Sequence, residues 1–108
     1  MKPPKFDNIE EYFAHNKDVW DKSDDSPLKM DKQVIVEVFS FPEDGYIHLD
    51  NKSLGFKSLY YRAVYKGVIN EKHCVLETLA GSYFSSVVVE QVRIVPDEHI
   101  WDVDVSLG

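Results

Sequence analysis

From Lys32 onward the chain is a succession of short β-branched and aromatic runs joined by turns too short to hold a helix. This feature constrains the fold most. Parallel strands need crossover connections of a dozen or more residues, so these strands must pair mainly antiparallel. Residues 33–41 (QVIVEVFSF) read as a buried strand, and Pro42, Glu43, Asp44 and Gly45 supply the φ values of a tight turn. Residues 46–50 then return, 51–57 form a loop, and 59–66 (LYYRAVYK) make the next strand. Residues 74–79 follow across a turn at 70–72, and Ala80, Gly81 and Ser82 break the run again. Residues 87–95 (VVVEQVRIV) predict one long strand ended by Pro96. In residues 100–105 (IWDVDV) the alternation sets Trp101, Val103 and Val105 on one face, with Asp102 and Asp104 on the other.

Before Lys32 only one stretch has helical periodicity. Phe6, Ile9, Tyr12, Phe13, Val19 and Trp20 follow the 3.6-residue repeat, with Asp7 as N-cap and Glu10 completing a capping box. Pro3 and Pro4 leave residues 1–5 as a loose arm, and residues 21–31 (DKSDDSPLKMD) form a polar connector. The expected architecture is α+β: a helix over 6–20 packed on a curled, mainly antiparallel meander of five or six strands within 32–106. A small closed barrel with a helix is the alternative. At 108 residues the chain suits a single domain with its own core.

Charge is distributed unevenly. Residues 1–31 carry eight acids and five bases, residues 32–95 carry seven of each, and residues 96–108 carry four acids and no base. The net charge of -7 therefore lies wholly in the two ends. If the ends meet, the molecule has one acidic face. The acidic balance argues against nucleic-acid binding, which needs a basic surface. No run of apolar residues is long enough for a membrane span or a secretory leader, so the expected compartment is the cytoplasm.

The constellations that carry chemistry are incomplete. His73 and Cys74 are adjacent, so on a strand they point to opposite faces and cannot form a nucleophile–base pair. His48 and Asp50 share a face, but no third ligand is placed by spacing, and a lone Cys excludes a disulfide or a Cys-only zinc site. Asp21, Asp24 and Asp25 lack the Gly and closing Glu of a calcium loop, and the glycines are scattered singly, with no phosphate cradle. The reading is no enzyme, no cofactor and no metal.

What remains is a binding surface. Its candidates are Asp21, Asp24 and Asp25 of the connector, Glu43 and Asp44 of the first turn, and Asp97, Glu98, Asp102 and Asp104 of the tail. Tyr61 and Tyr65, on one strand face, add aromatic contact area of the kind favoured at interfaces. In size, charge and absence of catalytic motifs the chain resembles the bacterial immunity proteins that neutralise toxins. The resemblance implies a protein partner, a cognate toxin domain of basic character such as a nuclease, whose site is covered by acidic side chains. No family motif is present, so it assigns no residue. The alternatives are a small-ligand or enzymatic domain with a pocket between helix and sheet, with His48 or His99 at its mouth, and an accessory subunit of a larger complex or a phage anti-defence protein.

Overall fold

The Asn8 side chain accepts the Glu11 backbone N–H at 3.0 Å, and the Glu11 carboxylate reaches back to the Asp7 N–H at 3.0 Å. The chain thus enters its helix through a reciprocal cap one residue later than the sequence pattern predicts, with Asn8 in the place expected of Asp7. Asn is at least as good a cap as Asp, and the frame moves with it. In the computed structural model, which describes residues 4–23, 26–40, 47–48, 57–79 and 81–102, this helix (α1) spans Ile9–Lys22. It absorbs Asp21 and Lys22, assigned above to the connector.

The strands are β1 (Gln33–Ser40), β2 (Ile47–His48), β3 (Lys57–Val68), β4 (His73–Thr78), β5 (Tyr83–Val88) and β6 (Val92–Ile94). All recorded pairings are antiparallel, in the order β2-β1-β3-β4-β5, with β6 returning to pair with β1 through Val34, Ile35 and Val36. The fold is α+β, and the sheet does not close into a barrel. Nor is it a simple meander, because β3 pairs on the far side of β1 from β2 and the last strand comes back beside the first.

The long strand expected over 87–95 is broken. Val88 ends β5, Val89–Gln91 form a 3-10 turn, and β6 begins at Val92. β-Branched residues alone cannot tell one strand from two joined by a corner. Here the corner carries the chain from β5 to β1, and the Gln91 amide donates to the buried Glu37 carbonyl at 3.0 Å. The strand expected over 100–105 is also absent as far as it is described. Asp97–His99 form a 3-10 turn, and residues 100–102 are irregular. The turn expected at 42–45 and residues 103–105 lie outside the described residues.

Both faces of the sheet carry a buried apolar cluster. One buries Val34, Val36, Val38, Ala63, Tyr65, Cys74, Leu76, Val87 and Val92, with Leu28 of the connector packed on them. The other buries Ile35 and Tyr60 beneath Val19 and Trp20 of α1 and Val95 of the tail. A bulge in β3 between Tyr65 and Val68 contains Gly67 at φ 111°, a conformation that favours glycine.

α1 lies where the sheet is incomplete. β4 pairs with β3 only from Ala63 onward, so residues 57–62 of β3 have β1 on one side and, among the described residues, no strand on the other. Backbone groups there still need partners. Two helix side chains supply them: Asn16 Nδ2 donates to the Tyr60 carbonyl at 2.9 Å, and the Tyr12 hydroxyl accepts the Arg62 N–H at 3.0 Å. Asn16 is fully buried.

Trp20 is a core residue, covered by Arg93 whose guanidinium lies 4.2 Å from its ring. Phe13, seven residues earlier in the same apolar repeat, is only half-buried and packs edge-on to Tyr61 at 4.9 Å. Trp20→Ala is therefore expected to cost about 3–5 kcal/mol and Phe13→Ala clearly less, both read from the shift in denaturant midpoint.

Candidate functional site

β3 carries one arginine in an otherwise apolar and aromatic run. Alternation places Tyr60 and Arg62 on the helix side of the sheet. Arg62 is 1% exposed, so its guanidinium must find every partner inside the protein. Its Nε donates to Asn16 Oδ1 at 3.1 Å, and its Nη1 to the His99 carbonyl at 2.8 Å and to Gln33 Oε1 at 3.4 Å. Nη2 lies 3.3 Å from His15 Nε2. The Trp101 ring covers the guanidinium plane, 3.5 Å from centroid to Cζ, a cation–π contact in a desolvated setting. Among the described residues no carboxylate pairs with this cation. Burial lowers its pKa to about 10, so it remains charged at neutral pH.

Arg62 and Gln33 together tie the tail to the helix. Gln33 Nε2 donates to the Trp101 carbonyl at 2.6 Å, and the Trp101 N–H donates to Gln33 Oε1 at 3.1 Å, so one amide side chain holds this residue's backbone in both directions. The Trp101 ring is 4% exposed. It stacks on His15 at 5.5 Å and touches Phe6 at 6.0 Å and Tyr12 at 6.3 Å. α1 and residues 99–101 of the tail thus meet, and a fully desolvated cation is what joins them.

The surface over this hub is acidic. Asp97, Glu98 and Asp102 are exposed on the tail, and Glu10, Glu11, Asp18 and Asp21 on α1. Asp18 pairs with Lys22 at 2.9 Å, which lowers its pKa, and Asp21 pairs with Lys17. Those two helix acids are thus largely neutralised by their i,i+4 lysines. Asp97 and Glu98 have no ion-pair partner among the described residues. They border a cleft of about 440 Å³ whose other wall is Lys22, Ser26, Pro27 and Lys29.

The remaining sequence candidates are placed as follows. Tyr65 is 8% exposed and belongs to the core, away from any surface. Tyr61 is half-buried beneath Phe13 and near Phe84, and burial raises its phenol pKa. Among the described residues of the sheet the exposed aromatic is instead Tyr83, at 62%. Asp24, Asp25, Glu43, Asp44 and Asp104 lie outside the described residues. Cys74 is fully buried and its thiol pKa is pushed up by desolvation, while His73 on the opposite face turns to Asn70 at 3.0 Å. Among the described residues no cluster of His, Cys, Asp and Glu is arranged to hold a metal, and no helix is long and apolar enough to cross a membrane. A groove of about 580 Å³ does separate α1 from β3, but it is open and lined by Glu10, Phe13, Ala14, Lys17 and residues 58–60, with no histidine.

The hub itself, Asn16, Gln33, Arg62 and Trp101 with His15, was not singled out from the sequence. The available signal was the lone Arg in LYYRAVYK, a charge that alternation assigns to the face the helix must cover. No family model, curated protein or solved structure matches this chain. Arg62→Lys keeps the charge but cannot reproduce the planar fork over four acceptors. It is expected to destabilise by about 2–5 kcal/mol, since each buried acceptor left unpaired costs roughly 1–3 kcal/mol, as measured by urea unfolding.

Proposed function

We propose that this protein is an acidic protein-binding module of the immunity type, which neutralises a basic toxin domain by covering it and performs no catalysis of its own. The observation that supports it most is that α1 and the acidic segment 97–102 come together over the Arg62–Trp101 hub, with Asp97 and Glu98 in no ion pair among the described residues. A nuclease must be basic to hold phosphates, and a fixed cluster of negative charge gains steering towards it. Asp97, Glu98 and Asp102 are the contact residues of this reading, with Glu10 and Glu11 on the adjoining helix surface. Asp21 contributes little, because Lys17 already answers it. Work against a nuclease in the producing cell implies a cytoplasmic protein that acts through surface complementarity alone, without cofactor or metal.

The test is association kinetics with a co-purified or genomically adjacent partner, over a salt series at pH 7.5. The on-rate is expected to fall steeply as ionic strength passes about 0.15 M, where the Debye length is about 8 Å. The triple variant D97N/E98Q/D102N is expected to associate more slowly and with a flatter salt slope. Binding indifferent to both salt and the triple variant would exclude the acidic face as the contact surface.

A further inference from the structure

His15 sits between the two chain ends, and its partner there is already a cation. Nε2 is 3.3 Å from Arg62 Nη2, and a guanidinium has donors only. The contact is a hydrogen bond only if His15 Nε2 offers its lone pair, which places the ring proton on Nδ1 and leaves the imidazole neutral. Protonation would oppose donor to donor and set a second positive charge against a buried one. The ring has no easy retreat, being stacked on Trp101 at 5.5 Å and against Phe6 at 5.6 Å.

The titratable and charged groups around it come from every element packed on it. Arg62 faces it from β3, His99 from the tail, and Asp18 and Lys22 from α1. Of these only Asp18 favours the protonated ring, and Asp18 is itself paired with Lys22. Desolvation, Arg62, His99 and Lys22 all oppose it, so the His15 pKa lies below the ordinary value of 6.5.

We propose that His15 is a pH-operated latch: neutral, it accepts from Arg62 and holds residues 97–102 against α1; protonated, it repels Arg62 and releases that acidic segment. The latch regulates the acidic face and rests on that reading for its meaning in binding. An imidazole with a folded-state pKa below its unfolded value stabilises the folded arrangement fully above about pH 6.5, and this contribution is lost as pH falls below that value. A complex formed at neutral pH is thus weakened on mild acidification through the tail, before ordinary carboxylates begin to titrate near pH 4.

The experiment uses the free full chain. The His15 ring is titrated by NMR from pH 8 to 5.5, and the Trp101 amide, which donates to Gln33 Oε1, is followed by hydrogen exchange corrected for its intrinsic pH dependence. His15 is expected to titrate below 6.5, with Trp101 protection falling several-fold in step with it. H15Q keeps an acceptor for Arg62 without a titrating proton, and is expected to hold its protection throughout, while H99Q still loses protection in step with His15, whose titration moves upward once His99 no longer opposes it. Protection that stays constant while His15 titrates, or a loss that persists in H15Q and vanishes in H99Q, overturns the latch. Should H15Q not fold, the coincidence of the two wild-type curves decides alone. These readouts need no partner, so failure of the latch leaves salt-dependent binding at pH 7.5 untouched, and failure of that binding leaves these curves untouched.

Discussion

A guanidinium buried with no carboxylate partner among the described residues is the constraint around which the rest of this structure is arranged. Removing an ion from water costs several kcal/mol even after relaxation. Arg62 offsets that with neutral acceptors drawn from separate parts of the chain: Asn16 of α1, Gln33 of β1, the His99 carbonyl and the His15 ring, with the Trp101 face above. A hydrogen bond to a charged group contributes about 1.5–3 kcal/mol, so several are needed together. The acceptors come from α1, β1 and the tail, so the arginine is satisfied only when helix, sheet and tail are all docked.

The same cluster explains how α1 serves an unfinished sheet. Below Ala63 one edge of β3 has no strand beside it among the described residues, and a bare strand edge invites pairing with other chains. Tyr12 and Asn16 close that edge with side-chain groups in place of a neighbouring strand. Asn16 works twice, its amide nitrogen on the Tyr60 carbonyl and its oxygen on Arg62. One buried asparagine therefore sets the register of helix against sheet, and with it the position of the acidic helix surface relative to the tail.

Immunity-type binding fits this architecture because the charge to be presented is held by a stiff internal device. Asp97 and Glu98 belong to a short turn whose last residue, His99, gives its carbonyl to Arg62, and Asp102 follows the residue clamped by Gln33. Acids presented this way lose little conformational entropy on meeting a basic surface. The dependence of that hold on a neutral histidine gives the surface a sensitivity to pH that its carboxylates alone would not confer.

The patterns set by local chemistry were legible in the chain itself: a single amphipathic helix, antiparallel strands enforced by short connections, and a net charge confined to the two ends. These follow from side-chain period, loop length and counting. The cap frame shifted by one residue because Asp7 and Asn8 are both competent and only the docked helix chooses between them. The run 87–95 split into β5, a 3-10 turn and β6 because β-branched residues favour extended backbone on either side of a corner, while pairing with β1 decides where the corner falls. Tyr65 went inside and Phe13 stayed half-buried for a similar reason: alternation assigns a face, and only the coverage of that face fixes exposure. The hub was beyond local reading altogether. Arg62 has its acceptors at positions 15, 16, 33 and 99, and no periodicity links them. Only a tertiary fold that leaves the arginine no water makes those four positions its solvent.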